Sequence, residues 1–450
     1  MPDGVRLDCD VFRPDDPGRF PVILAVHPYS KPWQSAAVTP VAFSGKGSAY
    51  ETGDFNFFVR RGYVLVIANL RGTHASEGYF SNLDPDRQAI QDIVDAIEWL
   101  AVQPWSNGNM GMTGVSYLAV VEKRVAALRP PHLKAIFAPY GWSDGYRDLY
   151  YRGGILAHGF LAHWILTYGP DCRVQNSLRD AWGDEKYEAG LNEALADREI
   201  TAYPLYKQAL EDPDHGLHPL FCEILLNKFI GPYYEARAVD FVAASSVPLY
   251  AGGDWKGYAF HLSGDIRAFE NWRGPKKLTI GPGIYLDRPL YQYAFEQLRW
   301  FDHWLKGVDT GLMDEAPVQL FIQGTGEWKQ AHDWPVPGTR WTPFYLHAGG
   351  LLSEHEFWPS EGFTTFEDSP FHHAMVEFRT PPMVEETEIC GPMVLNLHGS
   401  TTDSEVLWFA TLFHVDAEGA EETLTRGWLR GSQRKLDEDA SRPFQPVHAH

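Results

Sequence analysis

The sequence predicts an α/β protein in three parts: a doubly wound parallel sheet, a helical insertion, and an all-β region. Three observations predict it. In the first third, short β-branched and apolar runs alternate with segments of helical period. From 144 to 235 the strand runs stop and aromatic-rich helical patterns replace them. From Ala316 onward, strand-like runs separated by turn residues follow one another with no helical period between them.

The elements follow in order. "FPVILAVH" (Phe20–His27) and "GYVLVIANL" (Gly62–Leu70) are nearly continuous apolar runs, suited to strands buried on both faces. "DRQAIQDIVDAIEWL" sets Ile90, Ile93, Val94, Ile97 and Leu100 at helical spacing. "NMGMTG" then reads as a strand, Ser116 onward as a helix, and "LKAIFAP" as a strand. This rhythm implies a doubly wound sheet. The insertion follows, with "GILAHGFLAHWILTYG" its most apolar piece; such insertions cap the strand ends. The sheet pattern resumes with "SVPLYAGG" and "KKLTIG", and the helix "QYAFEQLRWFDHWLKG" closes it. "PVQLFIQG", "TPFYLHA", "HHAMVEFR", "GPMVLNLHGS", "EVLWFATLFHVD" and "ETLTRGWLRGS" are the strands of the last part, which reads as a sandwich. The boundaries are 1–143 with 236–310 for the sheet domain, 144–235 for the cap, and 316–450 for the sandwich.

With 450 residues the chain exceeds what one hydrophobic core supports. Hydrophobic residues make up 44% and aromatics 14%, which excludes a disordered chain. A net charge of -21 disfavours nucleic acid and anionic membranes as partners. Cys9, Cys172, Cys222 and Cys390 are far apart, with no C-x-x-C pair, and read as free thiols in a reducing compartment. The opening "MPDGVRLDCDVFRP" has no signal-peptide pattern, and no apolar run approaches membrane-spanning length, so the expected location is cytoplasmic. No phosphate loop or dinucleotide fingerprint appears, so no cofactor is expected. His372, His373, His448 and His450 lack partners at ligand spacing, so no metal is expected either.

The chemistry points to "MTGVSYLAVVEK" (Met112–Lys123). A serine on a strained turn between strand and helix exposes its hydroxyl. The helix start also aims amides at developing negative charge. Gly114 supplies the small residue two places before Ser116, while Leu118 occupies the second glycine position of G-x-S-x-G.

These residues, with others along the chain, resemble the cocaine esterase-like (CocE/NonD) hydrolases, which are related to X-prolyl dipeptidyl peptidases. "DGVRLDCDVFRP" is similar to the family's opening strand, and "HPYSK" to the P-Y end of its first core strand. "NLRGTHASEG" matches D-x-R-G-x-x-x-S-x-G with Asn69 in the acid position, and "GVSYLA" matches G-x-S-Y-x-G with Ala119 for the last glycine. The resemblance covers essentially the whole chain. It implies an α/β-hydrolase fold with a helical cap insertion and a C-terminal all-β, jelly-roll-like sandwich, which ends early here, so that either the sandwich is shortened or the sequence is a fragment. A shortened sandwich leaves edges or apolar faces exposed and favours homo-oligomers. The resemblance also implies an oxyanion hole from the Tyr29 hydroxyl and the Tyr117 amide.

A serine nucleophile needs a base and an acid that orients it. In the family the acid lies in a G-W-Y-D-like turn. Here the turn is "GGDWKGY", with Lys256 in the acid position and Asp254 two residues earlier. The family histidine lies in G-P-W-x-H; here "GPGIYLD" has Tyr285 in that place, followed by Asp287. Substitute histidines are His27, His158, His163 and His261, each of which reads better as an ordinary residue, His27 at a strand end and the others in helix or cap. Lys256 reads first as an exposed loop lysine; buried, with its pKa lowered, it would be a further base. The expectation is a serine hydrolase of the carboxylesterase or X-prolyl peptidase kind, cleaving a small ester or amide through an acyl-enzyme with Ser116 as nucleophile. The alternatives are a catalytically silent fold binding a small apolar ligand under its cap, and lyase or isomerase chemistry using Tyr285 or Lys256.

Overall fold

Strands with no polar face require cover on both sides. The computed structural model meets that requirement; it describes residues 1–34, 51–283, 291–356, 362–369 and 374–449. Tyr285, Asp287, His372, His373 and His450 lie outside the described residues. The chain lays down β1 (Cys9–Phe12), β2 (Phe20–His27), β3 (Val64–Asn69), β4 (Ser106–Thr113) and β5 (Leu133–Phe137). It then departs through a short hairpin, β6 (Tyr151–Arg152) with β7 (Ile155–Leu156). It returns with β8 (Leu249–Asp254), β9 (Lys276–Gly281), β10 (Val318–Ile322) and β11 (Glu327–Ala331).

These form one sheet in the order β1-β3-β2-β4-β5-β8-β9-β10-β11. Only the two outermost pairs, β1/β3 and β10/β11, are antiparallel. The interior is parallel, so the carboxyl ends of β4, β5 and β8 lie side by side. The order turns back between β2 and β4, the switch point at which such sheets open a crevice.

The covering helices follow the expected periods. Helix Arg87–Ala101 buries Ile90, Ile93, Ile97 and Leu100, and its N-cap Asp86 accepts the Ala89 amide at 2.8 Å. Helix Tyr117–Ala127 is buried on nearly every side, its charged residues included. Helix Tyr291–Lys306 places Trp300 and Phe301 in the core beneath β4 and β5. The 144–235 segment is helical, as its pattern predicts, from a π-helical turn at Gly145–Tyr150 through His158–Tyr168 and Asp184–Ala196 to His218–Leu225.

The C-terminal part differs from the expected sandwich in three places. Of "HHAMVEFR", the described residues 374–379 form no strand, only a single bridge from Arg379 to Leu351. "PVQLFIQG", counted with that part from sequence, pairs in parallel with β9 and so extends the central sheet. Its residues Val318 and Leu320 are fully buried there, which explains the choice. "MVLNL" within "GPMVLNLHGS" forms no strand, because no neighbour pairs its backbone. Among the described residues the regular strands are β12 (Tyr345–His347), β13 (Leu351–Ser353), β14 (Leu407–Val415) and β15 (Glu421–Arg430), paired as two hairpins. The β14/β15 hairpin leaves Phe409 62% exposed.

Candidate active site

The geometry begins at the end of β4. Gly114 has φ +150, and a Cβ there would lie 2.3 Å from the Leu118 side chain, so strand and helix meet at a distance only glycine permits. Ser116 follows with φ 60 and ψ -119, an unfavourable backbone for a non-glycine residue. That turn projects the serine hydroxyl off the sheet, and helix Tyr117–Ala127 begins directly behind it. The amides of its first turn have no intrahelical acceptor.

Ser116 Oγ lies 3.2 Å from His261 Nε2. His261 precedes helix Leu262–Asn271, where the Gly257 carbonyl accepts its amide at 3.0 Å. Phe260 packs 4.1 Å from its ring and Phe160 of the cap packs 4.4 Å from Phe260. Ser116 and His261 line a cavity of about 230 Å³ together with Glu51, Val115, Tyr140, Asp254, Lys256 and Gly257.

Asp254 ends β8 and is buried. Its Oδ1 accepts the amides of Lys256 at 2.7 Å and Gly257 at 3.0 Å. Its Oδ2 accepts the Tyr140 hydroxyl at 2.5 Å. Tyr140 comes just after β5, with φ 57, and its ring meets the His261 ring edge-on at 5.9 Å. It therefore touches both the carboxylate and the imidazole.

One buried ion pair fixes the register of these pieces. Lys123, on the helix behind Ser116, donates to Asp265 at 2.7 Å and to the Gly141 carbonyl at 2.8 Å. Asp265, four residues past His261, accepts the Gly141 amide at 3.1 Å. Burial pushes the Asp265 carboxyl up to about 7 against the pull of Lys123. Asp148 adds a second tie, accepting Ser263 Oγ at 3.1 Å and Arg267 at 2.6 Å.

Residues 3–286 match the X-Pro dipeptidyl-peptidase (S15) family, and residues 310–449 match the C-terminal non-catalytic domain of X-Pro dipeptidyl-peptidases. The chain belongs to the S15 family. A cocaine esterase of Rhodococcus sp. (strain MB1 Bresler) is 29% identical over 78% of the chain, which spans 62% of that esterase's length. A putative serine esterase of Mycobacterium bovis is 26% identical over 99% of the chain and 82% of its own length. A CocE/NonD family hydrolase from Staphylococcus aureus superposes with TM-score 0.70 at 23% identity, over all of this chain and 77% of its own. The fold, with its separate C-terminal β domain, and membership of a serine-type hydrolase family are thereby established.

Within this S15 chain the remaining sequence candidates are distributed as follows. Lys256 Nζ pairs with Glu422 at 2.5 Å, and the lysine side chain is 47% exposed. It is therefore not the buried lysine considered as a base. His27 is fully buried, its Nδ1 accepts the Tyr29 amide at 3.2 Å, and burial pushes it down to about 3. His158 stacks 4.1 Å from Tyr203 in the cap, and His163 is exposed there. The structure does not bring these to Ser116, whereas it does bring His261. Tyr29 sits in an aromatic cluster with Tyr117, Trp164 and Tyr168, where burial raises its hydroxyl far above the ordinary phenol range. Asn69, in the family's acid position, donates to the Tyr29 carbonyl at 2.7 Å, and Arg71 of the same motif holds Asp92 through two bonds. That motif thus supports the loop carrying Tyr29. Tyr140 and Glu51 escaped the sequence reading. Tyr140 follows a core strand at its carboxyl end, which was the available signal.

No group of three or more His, Cys, Asp or Glu side chains suited to a metal occurs among the described residues. No helix among them is long and apolar enough to cross a membrane.

Proposed function

We propose that the chain hydrolyses small esters through an acyl-enzyme on Ser116, with His261 as the general base. The observation that carries this reading is the 3.2 Å approach of Ser116 Oγ to His261 Nε2, made from a strained turn at a helix start. His261 takes the hydroxyl proton as Oγ attacks the carbonyl carbon, leaving a tetrahedral oxyanion. The Tyr117 amide, at the start of the helix, donates to that oxygen. The Tyr29 phenol, kept protonated by burial, is the second donor. The oxyanion collapses, His261 returns its proton to the leaving alkoxide, and the alcohol departs. Water then enters by the reverse path, with His261 again the base, and releases the acid.

Asp254 supplies negative charge in the same cavity, stabilising the imidazolium formed at each step. Its tie to Tyr140 holds the carboxylate still while Tyr140 buttresses the imidazole. A cavity of about 230 Å³ suits a small acyl group. Relatives named cocaine esterase and serine esterase support the ester reading, while the X-Pro dipeptidyl-peptidase family match supports amides by the same mechanism. Pairing of Lys256 with Glu422 weakens the lyase and isomerase readings that relied on it.

The test is fluorophosphonate labelling read by peptide mass. An adduct on Ser116, absent from Ser116→Ala, supports the proposal. A folded protein that takes up no label contradicts it and favours the silent, ligand-binding reading.

A further inference from the structure

A second cavity, about 490 Å³, lies between the cap and the β14/β15 hairpin and contains none of the residues that line the Ser116 cavity. Its walls include Phe160, Tyr203, Phe409 and Trp428. Phe409 is 62% exposed and Tyr203 36%, unusual for rings that line a concave surface.

The charges here are not balanced. Arg152, Lys228 and Arg430 line the cavity against Asp197 and Glu199, in a chain whose net charge is -21. Both carboxylates are engaged. Glu199 pairs with Arg430, while Asp197 caps its own turn at the Glu199 amide and lies 3.8 Å from Lys228. Arg430 also takes Glu405, and Lys228 takes Glu193 at 2.9 Å.

Arg152 alone of these cations has no side-chain hydrogen bond or ion pair among the described residues. Its guanidinium lies over the Trp428 ring, 5.3 Å from the centroid, and burial lowers its pKa. The carboxylate that acts on it electrostatically, Asp148, is already committed to Arg267, Ser263 and two backbone amides. A half-buried guanidinium with open donors beside aromatic walls is suited to a planar carboxylate carried on a ring.

We propose that this cavity is a binding site for small aromatic carboxylates, with the carboxylate on Arg152 and the ring against Trp428 and Phe409. The site does not depend on the catalytic role of Ser116.

Calorimetric titration of the full chain with 4-fluorobenzoate, and in parallel with the neutral 4-fluorobenzamide, tests it. The expected result is saturable binding of the acid, at least tenfold tighter than the amide. Arg152→Gln and Trp428→Leu should each weaken the acid at least tenfold while melting like the parent chain. Equal affinity for acid and amide overturns the proposal on the unaltered protein, without recourse to any variant. Unchanged affinity in a folded Arg152→Gln, or no binding of the acid at millimolar concentration, overturns it as well.

Discussion

Ser116 Oγ and His261 Nε2 stand 3.2 Å apart across 145 residues of chain. The serine comes from the end of β4, and the histidine from the segment that follows β8. Neighbouring strand ends in a parallel sheet converge on one crevice, so the two segments are close whatever lies between them in sequence. The expectations below follow from how that pair is held.

Tyr140 touches both Asp254 and the His261 ring. Tyr140→Phe keeps the ring contact and removes the hydroxyl donor. A hydrogen bond to a charged group is worth about 1.5–3 kcal/mol, so kcat for p-nitrophenyl acetate should fall by about 10- to 100-fold. The melting curve should stay near that of the parent, which separates loss of positioning from loss of fold.

The Lys123–Asp265 pair, fully buried, ties the serine helix, the Gly141 loop and the helix after His261 together. Lys123→Met leaves an unpaired carboxylate and should cost about 3–5 kcal/mol in urea unfolding. The double variant Lys123→Met/Asp265→Leu should recover most of that stability. If the double variant is as unstable as the single, the cost is not electrostatic.

Much of this site was legible in the sequence, and the rest was not for physical reasons. Ser116 could be read because its signal is local: a strand, Gly114, then a helix. Asp254 could be reached as the nearest carboxylate, although ungapped comparison pointed to Lys256, which the structure sends outward to Glu422. His261 gave no such signal. It stands just before an amphipathic helix, outside any strand-turn-helix motif, and the family's usual place for the histidine, after β9, holds Tyr285. Only tertiary packing brings it to the serine. In the last part, alternation in "MVLNL" suggested a strand, but a strand exists only where another pairs with it.

Glu122 lies fully buried on the helix behind Ser116, and burial raises its carboxyl well above the ordinary range. The folded state thus retains a proton that the unfolded chain has released above about pH 4.3. Stability from this group is complete below that pH and declines as pH rises toward the folded value, by about 1.4 kcal/mol per unit. Glu122→Gln removes the slope. Its unfolding free energy relative to the parent should increase as pH rises above about 4.3, as measured by urea titration.

Lys256→Ala should change kcat/KM by less than about threefold, because the exposed pair with Glu422 is worth about 0–1 kcal/mol. A loss of several hundredfold would restore the lysine as a base.

The most direct measurement is the second-order rate of fluorophosphonate labelling of His261→Ala against the parent chain at pH 7.5. General-base assistance is worth about 10²- to 10⁴-fold, so the rate should fall by that factor, with the melting temperature unchanged. Labelling of Ser116 at the parental rate in the folded variant would contradict the account.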